Sequence, residues 1–438
     1  MSSEWQKTTL GAICDAQGGT IQTGPFGSQL HTSDYKEVGI PVVMPTNIGD
    51  GGIVTDGIAR ISNEDVERLQ QHKLQIDDIV FSRRGDVTKN ALVRSHEVGW
   101  LCGTGCLKVR LGKQSLANAK FISYCLRLPE TKDWLIRHAV GATMPNLNTA
   151  ILSAVPVTLP PLTAQKEIAA ALGALDDRIT LLRETNATLE AIAQALFKSW
   201  FVDFDPVRAK MAGRAPEGMD EATAALFPDA LEETELGVVP KGWAVQPLDE
   251  IANYLNGLAL QKFPPTGVDD LPVIKIAQLR KGDTVGADKA ARTIKPEYII
   301  QNGDVLFSWS GSLEVDIWCG GEGALNQHLF KVTSQRYPKW FYYLWTKHHL
   351  EHFRQVAASK ATTMGHIQRS HLSAAKAFVP SPDVLSSADQ LLSPILDNII
   401  AGALQASALS ELRDTLLPRL ISGQLRLPDA RAQLEAAA

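Results

Sequence analysis

Between Thr163 and Val202 the apolar positions step by four and three in turn, through Ile168, Leu172, Leu175, Ile179, Leu182, Asn186, Leu189, Ala193, Leu196 and Trp200. That step is the seam of a coiled coil and predicts one long helix of about 60 Å at 1.5 Å per residue. The same step returns 220 residues later, at Ala388, Leu392, Ile395, Ile399, Gly402, Ala406, Leu409, Arg413, Leu416 and Leu420, with some apolar bulk lost. The two helices are expected to pair with each other. Each starts from a proline turn, "LPPLTAQKEIAAAL" from Leu159 and "VPSPDVLSSADQLL" from Val379, and each follows a domain-sized stretch of short apolar runs that predict strands. Asn186 on the seam either fixes register, as a buried polar residue does in other coiled coils, or faces solvent. Pro394, Gly402 and Pro418 are expected to interrupt the second helix, with a kink near Pro394.

The strand-rich stretches also repeat. "IPVVMPTNIGDGGIV" (Ile40 to Val54) resembles "LPVIKIAQLRKGDTV" (Leu271 to Val285), and "DIVFSRRG" (Asp78 to Gly85) resembles "DVLFSWSG" (Asp304 to Gly311). "KFISYCL" from Lys120 parallels "KWFYYLW" from Lys339, Thr143 and Met144 parallel Thr363 and Met364, and Pro160 parallels Pro380. The common order at an offset settling near 219 to 220 residues makes the chain two similar halves. The expected fold is α+β: two strand-rich domains separated by two long antiparallel coiled-coil helices, with an internal pseudo-two-fold repeat. Its predicted parts are a first domain at 1–158, a long helix at 159–204, a connector at 205–240, a second domain at 241–380, and a C-terminal helix and tail at 381–438. The connector is rich in Pro, Gly, Ala and acids; "VPKGWAVQPLDEIA" at its end echoes "SEWQKTTLGAIC", so the second domain starts afresh near Lys241.

Length agrees with two or three domains, since 438 residues exceed what one core organises. No run of eighteen apolar residues and no signal segment appears, so the expected location is cytoplasmic, without a membrane partner. Five cysteines at irregular spacing argue against a disulfide framework and for reduced, partly buried thiols. The net charge of −5 hides its distribution: residues 1–155 carry +1, 156–240 carry −7, 241–380 carry +4 and 381–438 carry −3. Between Lys331 and Lys376, eight Lys/Arg stand against the single acid Glu351, with five histidines among them; between Arg83 and Lys113, seven basic groups stand against Asp86 and Glu97. Both strand-rich domains therefore carry a positive stretch, the electrostatic footprint of a polyanion.

The order of strand-rich domain, proline turn, long helix, "VPKGW" restart, second domain and terminal "LRDTLLPRLISGQL" resembles the specificity subunit of a type I restriction-modification system over essentially the whole chain. The pieces that carry the resemblance are "LPPLTAQKEIAAAL", "GPFGSQL" (Gly24 to Leu30), "DIVFSRRGDVTKN" (Asp78 to Asn90), "MPNLNTAIL" (Met144 to Leu152) and "LLPRLISGQL" (Leu416 to Leu425). The resemblance implies two target recognition domains, each reading one half of a split sequence in double-stranded DNA. It also implies that the helices set the spacing and dock methyltransferase (modification) subunits, two of them, which carry S-adenosylmethionine, with restriction or translocase subunits as further partners. One departure stands out: the second domain has "NGLALQKFPPTG" where "GPFGS" would be looked for.

The chain itself is expected to be non-catalytic. An amino-methyltransferase needs an Asp/Asn-Pro-Pro-aromatic loop, and the Pro-Pro pairs here are "LPPL" and "FPPT"; there is no phosphate loop, and "GTGCLK" lacks the third glycine of a dinucleotide turn. His348 and His352 are four apart, but no Glu base or third ligand accompanies them, and Cys102 and Cys106 lack a second pair, so no metal is expected. DNA contacts are expected at turns after strands. The candidates in the first domain are Ser82, Arg83, Arg84, Lys89 and Asn90, with Asn146 and Asn148 from "MPNLN", one of which has helix capping as an alternative role. Those in the second are Ser308, Trp309 and Ser310, with Lys360, Thr362, Thr363, His366, Gln368 and Arg369; Trp309 has a core role as its alternative. The competing reading is a non-catalytic interaction scaffold with two protein-binding domains on a helical spacer.

Overall fold

The computed structural model describes residues 5–49, 51–141, 143–234, 237–359 and 365–430. The chain forms two compact units, one built from residues up to Asp177 together with those from Ser410 on, the other from Arg178–Leu409.

In the first unit the strands are, in chain order, β1 (Gln6–Thr9), β2 (Thr20–Thr23), β3 (Tyr35–Lys36), β4 (Ile40–Val43), β5 (Ala59–Ile61), β6 (Ile79–Ser82), β7 (Asn90–Leu92), β8 (Leu101–Cys102), β9 (Cys106–Arg110) and β10 (Pro156–Leu159). They make two four-stranded sheets, β2-β9-β6-β7 and β3-β5-β4-β8, and a ribbon of β1 with β10. In the second unit they are β11 (Leu231–Thr234), β12 (Gly237–Pro240), β13 (Ala244–Pro247), β14 (Asn253–Asn256), β15 (Leu271–Ile274), β16 (Lys289–Ala290), β17 (Ile299–Ile300), β18 (Val305–Ser308), β19 (Val315–Ile317), β20 (Gly323–Leu325), β21 (Leu329–Thr333) and β22 (Lys376–Val379). Here the sheets are β14-β21-β18-β19 and β16-β15-β20-β17, with a ribbon of β13 and β22 and a hairpin of β11 and β12.

The repeat holds strand by strand. Gln6 pairs with Leu159 at one ribbon end and Ala244 with Val379 at the other unit's matching end. Each unit has a matching parallel strand pairing, β4 with β8 and β15 with β20, beside its antiparallel ones. The "DIVFS" motif supplies a strand buried on both faces, and its leading acid is structural: Asp78 accepts the Gln75 N–H (2.8 Å) and holds Arg110 at 2.7 and 2.6 Å. Asp304 does the same with the Gln301 N–H (2.8 Å) and Lys331 (2.7 Å).

A central helix, Leu162–Phe197, is followed by one π-helical turn, Lys198–Val202, and a C-terminal helix covers Pro382–Ile421. Gln165 of "LTAQKE" is fully buried. Its oxygen accepts the Asn118 N–H (2.9 Å) and its amide donates to Pro160 O (2.8 Å) and Leu116 O (3.1 Å), tying the proline turn to the domain it follows. On the seam, Ile168, Leu172, Leu175 and Ile179 of the central helix are buried, as are Leu392, Leu409, Leu416 and Leu420 of the C-terminal one, while Leu182, Leu189, Leu196, Ile395 and Ile399 are half-buried. Asn186 turns its amide onto the C-terminal helix, donating to Ile399 O at 2.8 Å. A Cβ on Gly402 would stand 2.4 Å from the Asn186 oxygen, so the glycine that weakens the second apolar stripe makes room for the polar residue of the first.

The expected interruption at Pro394, Gly402 and Pro418 does not occur: the C-terminal helix is continuous through all three. A proline removes only one N–H from the helix, and Pro394 sits on its exposed side. Among the described residues this helix alone has the length and hydropathy of a bilayer span; within it Asp389 accepts the Trp340 indole N–H at 3.0 Å. All five cysteines are free, and burial pushes the Cys14 thiol up to about 11 and Cys102 to about 12, leaving both protonated.

The second unit's core is aromatic. Trp340, Phe341 and Trp345 from the helix Lys339–His348 meet Phe197 and Phe201, Phe204 packs on Trp243 and Phe378, and the 205–240 segment adds the buried Phe227 against Trp200 and Trp243. His348, His349, His352 and His371 line a cleft of ≈ 380 Å³ beside Trp345 and Phe378. Burial pushes His349 down to about 4, against the pull of the Lys376 carbonyl on its Nε2 (2.8 Å) and reinforced by His348 and His352. An unfolded histidine binds its proton near 6.5. The folded state therefore binds fewer protons between pH 6.5 and 4, and stability falls as pH drops through that window. In denaturant titrations, His349→Gln should flatten this acid limb while leaving stability at pH 8 nearly unchanged.

Candidate nucleic-acid interface

The turn after β6 is closed by the Ser82 N–H on Lys89 O (3.1 Å), and the turn after β18 by the Ser308 N–H on Glu314 O (2.9 Å). Inside each turn the serine hydroxyl is a strut: Ser82 Oγ donates to Arg84 O (2.8 Å), while Ser308 Oγ donates to Ser312 O (2.6 Å) and accepts the Glu314 N–H (2.7 Å). Both turns are stitched to a segment some sixty residues further on. Leu147 N–H donates to Arg83 O (2.9 Å) and Ile367 N–H to Trp309 O (3.0 Å), with bridges of Arg84 to Asn146 and Ser310 to His366. "DIVFSRRG" and "MPNLN", far apart in sequence, are thus one surface, and the second unit repeats it.

The candidate residues separate by burial. Ser82, Asn90, Ser308 and Ser310 are buried: the two turn serines are struts, Asn90 starts β7 with its amide 3.5 Å from Leu126 O, and Ser310 Oγ meets His328 Nδ1 at 2.9 Å. Arg83, Asn146, Trp309 and His366 are half-buried, and Arg84, Lys89, Asn148, Gln368 and Arg369 are exposed. Asn148 caps the helix Thr149–Ser153 by accepting the Ile151 N–H (2.8 Å). Gln368 precedes the helix Arg369–Ala374, and Arg369 lies 5.8 Å over the Phe330 ring while donating to Tyr254 O (3.2 Å). Trp309 packs against the core and donates its indole N–H to Asn256 Oδ1 (2.9 Å) and Gln327 O (3.1 Å). Lys360, Thr362 and Thr363 lie outside the described residues.

Counting charge along the chain overstates the accessible cations. Lys108 is buried, its ammonium on Gln71 O and Lys73 O (2.9 and 3.2 Å), and Arg110 is held by Asp78. In the second unit Lys331 and Arg354 are paired with Asp304 and Glu314, and Lys347 with Glu190. Arg84 and Lys89, by contrast, are exposed and make no side-chain hydrogen bond among the described residues.

The loop departure resolves at one glycine. Gly24 N–H donates to Cys106 O (2.9 Å) and Gly257 N–H to Leu329 O (3.0 Å), and a Cβ would stand 2.0 Å from Gly103 O or 2.2 Å from Asn326 O. Both loops need that glycine to cross the neighbouring strand end, and they diverge only after it: Phe26 is 55% exposed, whereas Leu260 is buried. Sequence reading missed two further groups. Asp176 gathers Tyr124, Arg127 and Arg413, and Glu190 accepts from Tyr343 (3.1 Å) and pairs with Lys347. The tyrosine shared by "KFISYCL" and "KWFYYLW" was the available signal.

The family model described as the type I restriction modification DNA specificity domain matches residues 2–191 and 240–410. The chain is 24% identical over 360 residues to the type I restriction enzyme HindI specificity subunit of Haemophilus influenzae, covering 70% of this chain and 77% of that one. It is 25% identical over 320 residues to the MjaIX specificity subunit of Methanocaldococcus jannaschii, covering 71% and 70%. In fold it is similar to the crystal structure of the type I restriction-modification system S subunit from M. genitalium, with a TM-score of 0.51 at 15% identity, covering 95% and 96% of the two chains. With a matched stretch running through each strand-rich half and into the long helix that follows it, this chain belongs to the type I restriction-modification DNA specificity family.

Proposed function

We propose that the two strand-rich domains each read one half of a bipartite duplex sequence, and that the paired long helices set the gap between the halves and dock two methyltransferase subunits. The observation that carries this reading is the stitched turn, built once in each domain from the same hydrogen bonds and furnished with different side chains. Two copies of one reading surface with different chemistry suit two unlike half-sites. Arg84 and Lys89 supply point charges for phosphates, which position the protein without selecting sequence. The S-adenosylmethionine chemistry belongs to the partner subunits, and restriction or translocase subunits join the same assembly.

Selection of random duplexes by the full chain in complex with its modification subunits tests the proposal. The expected product is two conserved blocks separated by a fixed, unselected gap, bound with an affinity that falls steeply with salt. A single contiguous block, or no enrichment by a verified complex, would leave the protein-binding scaffold as the better reading.

A further inference from the structure

The slot at the stitched turn is one backbone with two contents. In the first domain it holds Arg83 beside Asn146, and in the second Trp309 beside His366, whose rings lie 6.3 Å apart.

Arg83 is held from two sides. Its Nε donates to Asn146 Oδ1 at 3.2 Å, and its guanidinium lies 6.0 Å from the centre of the exposed Phe26 ring. Nε only donates, so the amide oxygen of Asn146 must face it. The two terminal NH2 groups of Arg83 have no protein acceptor among the described residues. A guanidinium fork fixed at its base matches the O6 and N7 acceptors of guanine, and fixing it in advance reduces the rotamer freedom lost on binding. Asn146 has a different part: its amide oxygen accepts Arg83 Nε, which sets the orientation of the guanidinium from its base. In the second slot the indole N–H of Trp309 is engaged by Asn256 and Gln327, so that side chain has no donor left for a base edge.

We infer that Arg83 reads a guanine in one half-site, with Asn146 and Phe26 as its positioning residues. The inference rests on the two-half reading proposed above.

The test is sequence selection by the full chain with its modification subunits, comparing wild type with Arg83→Ala, Arg83→Lys, Asn146→Ala and Asn146→Asp. Arg83→Ala should relax one G·C position in one block, lowering its preference about 10- to 100-fold, and leave the other block untouched. Arg83→Lys should keep overall affinity within a few-fold yet lose the same preference, because an ammonium is a point charge without the fork. Asn146→Ala should weaken the preference at that same position, and Asn146→Asp should restore it, since a carboxylate oxygen still accepts from Nε. If both Arg83 variants bind with every position of a bipartite site unchanged, the inference fails while the two-half reading stands. If Asn146→Asp instead relaxes an A·T position, Asn146 reads a base itself and its positioning role is overturned. If wild type selects a single contiguous block, the two-half reading falls and this inference falls with it.

Discussion

Lengthening both long helices by four residues is expected to shift the preferred gap between the two proposed half-sites by about two base pairs, because four residues add about 6 Å of helix and duplex DNA rises about 3.4 Å per base pair. The central and C-terminal helices run unbroken past the points where the chain passes from one compact unit to the other, at Asp177 and Ser410. Two polar ties bracket those points: Asp176 with Arg413 in the first unit and Asn186 with Ile399 in the second. Insertions between Ile179 and Leu182 and between Ala406 and Leu409 fall inside both brackets, so each tie keeps its partner. Four residues also leave the apolar stripe within about 40° of its line on a 3.6-residue helix. An insertion in one helix alone breaks a tie, and the expected result is lower stability without a new defined gap. Methylation mapping or duplex selection on the doubly lengthened protein measures the gap, and an unchanged gap removes the ruler from the proposal.

Asp176→Ala is expected to destabilise the first unit by about 3–5 kcal/mol, the range for removing one member of a buried ion cluster. The carboxylate accepts the Tyr124 hydroxyl (2.7 Å), Arg127 (3.1 Å) and Arg413 (2.8 Å). Burial alone would raise its pKa, but Arg127, Arg413 and Tyr124 together hold it below the ordinary aspartate value. Removing it takes the carboxylate from between two nearly buried guanidinium groups, leaving Arg413 only the exposed Asp414 (2.8 Å) beside it. Tyr124→Phe deletes one hydrogen bond to a charged group and should cost about 1.5–3 kcal/mol. Because the folded pKa of Asp176 is depressed, its contribution is present above the unfolded value near 3.9 and is lost as pH falls through the folded one. Chemical denaturation at pH 7 and pH 3 separates the cases: the gap between wild type and Asp176→Ala should narrow in acid. An equal gap at both values would show that the carboxylate acts by shape rather than charge.

Much of this architecture was legible in the residue pattern, since period and repeat are properties of the backbone. The four-three step predicted the long helices, and "DIVFS" with "DVLFS" identified equivalent strands and the turns after them. Which side of a turn each residue faces was not legible. Ser82 and Asn90 flank Arg84 and Lys89 in sequence, yet the turn places the first pair inside and the second outside. Charge counting failed for the related reason that a cation's neighbours are set by tertiary pairing: Lys108 and Arg110 lie in a positive run and serve the interior. Gly402 illustrates the same limit on the helices. In sequence it is a gap in an apolar stripe, and only the facing helix shows that the gap is filled by Asn186.

The most direct measurement is adenine-methylation mapping, at single-molecule resolution, of host DNA in cells expressing the full chain with its modification subunits. Methylation is expected at one split motif, two defined blocks with a constant gap, present only when this chain is present. Methylation at a contiguous motif, or none from a complex shown to be assembled, would contradict it.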